Sequence, residues 1–138
     1  MSTTTDYMKP LPDPTPDTQA FWDGLNQGKL LLQICSDCGK PRHYPRIVCP
    51  HCYSMQHRWV AASGNGIVQS WTVAHHAFHP GFKAELPYTL VTVDLAEGVR
   101  MNAQLRGDAA KLKIGVPVRV AFELATKDLT LPVFVLEV

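Results

Sequence analysis

The chain has 138 residues, 46% of them apolar, and a formal net charge of +1. That length suits one compact unit, and that apolar share is too high for a disordered chain. The near-neutral balance argues against a protein devoted to nucleic acid, and no stretch reaches the roughly 20 apolar residues that cross a bilayer.

Residues 1–16 carry four prolines and no apolar periodicity, the pattern of a flexible arm. The opening, MSTTTDYMKPLPDPTPDTQ, lacks the basic start and apolar core of a secretion signal. A cytoplasmic location is therefore expected. From Asp17 the pattern changes. Asp17 or Thr18 can cap a short helix through TQAFWDGLNQG, with Phe21, Trp22 and Leu25 on one side and Gly28 as its stop. A helix that short needs a packing partner.

KLLLQIC then reads as a strand entering the segment CSDCGKPRHYPRIVCPHC (35–52), and HRWVAAS as a strand leaving it. After a turn at Gly64 and Gly66, five runs rich in Val, Ile, Thr and aromatics follow. They are GIVQSWTVAHHAF, YTLVTVDLA, VRMNAQLR, VPVRVAFELAT and LPVFVLEV. Val91, Val93 and Leu95 alternate with Thr92 and Asp94, which implies one buried face. Five such strands in so short a span favour a small closed barrel over a sandwich. GDAAKLKIG, between the third and fourth runs, is expected to be a short helical turn or a loop. The division expected is an arm at 1–16, a helix and cysteine-bearing ribbon at 17–60, and a barrel at 61–138.

Cys35, Cys38, Cys49 and Cys52 are the only cysteines. Two residues between thiols let one tight turn aim both sulfurs at a single ion, and two facing turns complete a tetrahedral site. Gly39 gives the first knuckle backbone freedom, Pro50 stiffens the second, and KPRHYPRIV leaves room for a short hairpin between them. Zinc is the expected metal, with iron using the same ligand set. Four thiolates leave no open coordination position, so the site is structural and no thiol remains as a nucleophile.

Residues 29–58 hold Lys29, Lys40, Arg42, Arg46 and Arg58 against Asp37 alone. That basic patch suits a solvated surface or a phosphate-bearing or acidic ligand. AHHAFHPGF (74–82) sets three histidines beside two phenylalanines at a strand end. His75 and His76 would face opposite sides of a strand, so a metal site needs special looping; plain surface or core positions, or a loop for a ligand or partner, are the better expectations. Asp94, Glu97 and Glu123 are scattered and read as strand and turn positions.

FWDGLNQGKLLLQ, C-x2-C-GK…P…C-x2-C, SGNGIVQSWTVAHHAFHPGF, PYTLVTVDLAEGVRMNAQL and IGVPVRVAFE, in that order across residues 18–138, resemble the DUF35 family. The resemblance implies a mainly β fold: an N-terminal helix and rubredoxin-like zinc ribbon, then a five-stranded OB-fold barrel. It also implies a non-catalytic accessory subunit that docks on a thiolase-fold partner (a thiolase, acyltransferase or thiolase-like aldolase) or on a hydratase-like one. Such a subunit helps assemble the partner's acyl-CoA site within a hetero-oligomer. Lys40, Arg42 and Arg46 are then candidate contacts to the phosphates of CoA or an acyl-CoA shared with that partner. Trp22, Phe78, His79 and Phe82 are candidates for the partner or ligand loop.

Two other readings compete. OB barrels and zinc ribbons also serve nucleic acid, but residues 59–138 balance seven basic against seven acidic groups and offer few aromatics for base stacking. A stand-alone acyl-CoA-binding protein is the remaining alternative.

Overall fold

The computed structural model describes residues 7–137. Helix α1 spans Gln19–Asn26, shorter at both ends than TQAFWDGLNQG suggested. Thr18 is its N-cap residue, but its hydroxyl pairs with Thr15 instead of capping the helix. Phe21, Gly24 and Leu25 form the buried stripe, and Gly28 ends the helix at φ +73°. Trp22, grouped with Phe21 in the sequence, is only half-buried.

Three strands build the ribbon: β1 (Leu31–Cys35), β2 (Pro41–Arg42) and β3 (His57–Ala61). β1 lies in the middle, antiparallel to both. The expected hairpin inside KPRHYPRIV does not form. β2 pairs back onto β1 instead, Gln33 facing Arg42 and Ile34 facing Pro41. Three prolines in 41–50 limit the amide donors that a second ladder would need.

The barrel consists of β4 (Asn65–Ala74), β5 (Tyr88–Leu95), β6 (Arg100–Leu105), β7 (Pro117–Thr126) and β8 (Leu129–Leu136). It closes in the order β4-β5-β6-β8-β7, with β6 and β8 parallel and every other pair antiparallel. The alternation read in β5 is real: Val91, Val93 and Leu95 are buried. GDAAKLKIG carries one 3-10 turn at Ala109–Lys111, with Asp108 Oδ1 accepting from Ala110 N at its start.

Phe21, Leu25, Leu30 and Leu32 from α1 and the start of the ribbon share one buried cluster with Val68, Val93, Met101, Val118 and Phe134 of the barrel. A boundary at 60/61 therefore falls one residue inside β3 and does not divide the core. Asn26 Nδ2 also donates to Asp128 O in the β7–β8 turn. Residues 7–14 lack regular structure, as their prolines require, yet they are not free of the barrel. Lys9 is ion-paired to Glu85 and lies over the Phe82 and Tyr7 rings. Residues 1–6, the rest of the expected arm, lie outside the described residues.

Candidate metal centre

Cys35 closes β1, and Cys38 follows one turn later. Gly39 at φ +76° completes that turn, a backbone geometry other residues seldom adopt. The second knuckle is built the same way: Tyr53 N donates to Cys49 O, as Gly39 N does to Cys35 O. Its left-handed residue is Tyr53, φ 66°, where a glycine would be expected.

The four sulfurs all lie within 4.8 Å of one another. Cys35 and Cys52 are 3.6 Å apart and Cys38 and Cys49 3.7 Å. A tetrahedron of 2.3 Å Zn–S bonds has edges of about 3.8 Å, so the cage fits the ion. Cys38 N and His51 N donate to Cys35 Sγ and Cys49 Sγ, each at 3.4 Å. Such amides stabilise a thiolate. Cys35 is lowered to about 6, first by the Cys38 amide, and Cys49 is lowered chiefly by the Cys52 amide. Cys52 is pushed up to about 12: Ser54 N–H favours its thiolate, but desolvation and the three neighbouring sulfurs outweigh that. Four thiolates side by side need a cation to hold them, which is the electrostatic case for the metal.

The cationic candidates separate. Lys40 and Arg46 are exposed beside the knuckles. Arg42 is buried: its Nε donates to Gln33 Oε1 (2.5 Å) and its Nη2 to Arg46 O (3.1 Å). A guanidinium fixed inside the ribbon does not meet a ligand phosphate, so Arg42 leaves that list. Gln33, unremarked in the sequence, also accepts from Arg46 N at 2.8 Å and so ties β1, β2 and the second knuckle together. Its burial inside an apolar-looking strand carried no sequence signal.

The aromatic candidates are not brought to one place. Trp22 packs edge-on against Phe21 and lines a cavity of about 270 Å³ with His43, Met101 and Pro132. Phe78 is 88% exposed, with its ring 4.7 Å from that of His76. β4 ends at Ala74, so His75 and His76 sit in the loop and not on a strand. His79 Nδ1 accepts from Gly81 N and starts the 3-10 turn Pro80–Glu85. Phe82 stacks at 5.2 Å on Tyr88. Among the described residues the cysteine quartet is the one cluster with metal-ligand geometry. Asp94 and Glu123 pair with Arg100 and Arg106.

Comparison with known proteins accords with this architecture. Residues 22–58 match the ChsH2 rubredoxin-like zinc ribbon domain, and residues 59–123 the ChsH2 C-terminal OB-fold domain. A probable enoyl-CoA hydratase alpha subunit of Thermomonospora curvata is 41% identical over 92% of this chain. The 3-oxo-4,17-pregnadiene-20-carboxyl-CoA hydratase alpha subunit of Mycobacterium tuberculosis is 38% identical over 80% of it. The chain spans only 40% and 35% of the length of those two relatives. A DUF35 domain-containing scaffold protein of Methanocaldococcus jannaschii is 26% identical, with 77% of its length matched. Among solved structures, a chain of the Ltp2-ChsH2(DUF35) aldolase superposes with TM-score 0.85 and 39% identity, over 93% of this chain and all of that one. A DUF35 protein of Sulfolobus solfataricus shares the fold, with TM-score 0.63 at 20% identity, over 88% of this chain and 86% of that one. The ribbon and barrel matches agree with the fully covered DUF35 chain of the aldolase, and this chain belongs to the DUF35 family.

Proposed function

We propose that this chain is a non-catalytic accessory subunit of an enzyme that acts on acyl-CoA thioesters, with a structural zinc in its ribbon. The observation that carries the reading is the match to the whole DUF35 chain of an aldolase at TM-score 0.85. The thiol geometry supports it. A thiolase-type reaction needs a free cysteine nucleophile, and all four thiols here converge on one cage.

The partner we favour has the thiolase fold: a thiolase, acyltransferase or thiolase-like aldolase. A hydratase-like partner is the second reading, favoured by the names of the two curated relatives. In either case we take the exposed Lys40 and Arg46 as contacts to the phosphates of CoA, and the complex as a cytoplasmic hetero-oligomer.

The test is purification of the tagged chain from its own cells at moderate salt. Co-eluting proteins are then identified and assayed on acyl-CoA with and without this chain. A stoichiometric thiolase-like or hydratase-like companion whose turnover falls when the chain is withdrawn supports the reading. Elution alone, or with nucleic acid that high salt strips away, overturns it.

A further inference from the structure

The barrel does not close along its whole height. β4 pairs with β7 only where Asn65–Ile67 faces Pro117–Arg119. One residue later Val68 donates to Val116 O (2.9 Å) and accepts from Gly115 N (2.8 Å). β5 goes on pairing with β4 as far as Ala74, but among the described residues no strand flanks Gln69–Ala74 on the other side.

The direction of the free groups follows from the ladder. Residues opposite each other in an antiparallel pair either bond each other or both point away, and the pattern alternates. Val68 faces Val93 and points its N–H and C=O away from β5. Two and four residues back along β5, Val91 and Thr89 face Trp71 and Val73, beyond the bulge between Val68 and Ser70. The N–H and C=O of Trp71 and Val73 therefore lie on the open edge.

Edge strands are usually guarded by proline, lysine or other charges. QSWTVA, residues 69–74, has none. Trp71 is 37% exposed, and Ile114, on the turn that precedes Gly115, is 78% exposed. Residues 65–84 and 109–118 contain no Asp or Glu and carry Lys83, Lys111 and Lys113, while Arg119, in the closed part of the seam, is paired with Glu137.

We infer that the partner subunit adds a β-strand here: an extended, apolar segment flanked by carboxylates that pairs with Trp71 and Val73. The inference rests on the accessory-subunit reading and names its docking surface. Backbone pairing supplies the affinity and alternate side chains the specificity, as in other strand additions. A second copy of this chain fits less well, because residues 65–84, which hold its own QSWTVA edge, bring Lys83 and no carboxylate.

The experiment compares residue-level amide exchange in the free zinc-loaded chain and in the co-purified complex. Trp71 and Val73 amides are expected to slow roughly tenfold or more in the complex. Val73→Pro removes a donor that β5 does not use. It should leave the thermal midpoint of the free chain in place and weaken partner binding roughly fivefold or more. Should that variant misfold, exchange in the unmodified chain still decides. A partner that co-purifies while both amides exchange as in the free chain overturns the docking site and leaves the accessory reading intact. Absence of any partner overturns both. A homodimer that protects the same amides assigns the edge to self-pairing and overturns the inference.

Discussion

Arg42 Nε donates to Gln33 Oε1 at 2.5 Å across the β1–β2 pair, and both side chains are buried. The same oxygen accepts from Arg46 N, so one amide group holds a buried cation and the backbone of the second knuckle. Gln33→Ala leaves Arg42 charged, buried and short of an acceptor. Breaking such a contact costs roughly 3 kcal/mol. In urea unfolding of the zinc-loaded protein, Gln33→Ala should lose that amount. Gln33→Leu with Arg42→Met should lose less than the sum of the single changes. Additive losses would show that the two side chains act independently.

The exposed cations make a different prediction. Lys40→Glu with Arg46→Glu should raise the KM of the assembled enzyme for acyl-CoA roughly tenfold or more while leaving kcat and unfolding midpoint near their starting values. Arg46 contributes to the Gln33 network only through its backbone, so exchanging its side chain does not break that contact. An unchanged KM would remove the basic patch from substrate binding.

Metal removal reaches further than the ribbon. Leu30 and Leu32 lie in the same buried cluster as Val93 and Phe134, so loss of the knuckles loosens the entry of β1 into the common core. Structural zinc contributes folding free energy directly. Chelation, or Cys49→Ser, should lower the thermal midpoint of the whole chain by more than about 10 °C and abolish partner binding. Two separate transitions, the barrel melting at its original temperature, would show that ribbon and barrel fold independently.

Legibility in the sequence followed the range of the interactions. The five barrel strands and the zinc cage were readable because alternation and Cys-x-x-Cys spacing are local signals. Val91, Val93 and Leu95 announce their buried face within five residues, and Cys35 and Cys38 theirs within four. Arg42 was misread as a phosphate contact because its fate depends on Gln33, nine residues away and paired only after β2 folds onto β1. Lys9 met Glu85 across 76 positions, a contact no composition rule for a proline-rich arm contains. Phe78, His79 and Phe82 read as one cluster, yet the 3-10 turn at 80–85 leaves Phe78 outside and folds Phe82 beneath Lys9.

That last arrangement depends on Gly81. A Cβ there would sit 2.3 Å from Met8 O, a backbone atom with no flexible end to move aside. Gly81→Ala should therefore push residues 7–9 off the turn and separate Lys9 from Glu85. Limited proteolysis with chymotrypsin should then cut the arm after Tyr7 faster by roughly an order of magnitude, with the barrel's thermal midpoint changed little. Equal cleavage of both proteins would mean that the arm does not depend on the close approach at Gly81.

His43 contributes to the acid sensitivity of the fold. Its imidazole lies 5.3 Å from the Phe21 ring and 4.0 Å from that of Tyr44, and neither nitrogen has a hydrogen-bond partner among the described residues. Burial lowers its pKa from 6.5 to about 4. Because the folded state disfavours the charged ring, the unfolded chain binds more protons between those values, and stability falls as pH falls through that window. The full loss, complete below about pH 4, is about 3 kcal/mol. Glu85, Asp94 and Glu123 are also held below their usual values, chiefly by Lys9 and Gln104, by Arg100 and by Arg106 respectively, after desolvation opposes the shift at Glu85. Their contribution is present above the ordinary carboxylate pKa and is lost only at lower pH, and the zinc thiolates, which also respond to acid, are common to the two proteins compared next. His43→Phe keeps an aromatic ring beside Phe21 and removes the titration. At fixed free zinc, the stability difference between His43→Phe and the unmodified protein should therefore grow by about 1 kcal/mol from pH 6 to pH 5, in favour of the variant. A difference independent of pH would mean that the folded chain accommodates the imidazolium, and that the ring opens to water before it is protonated.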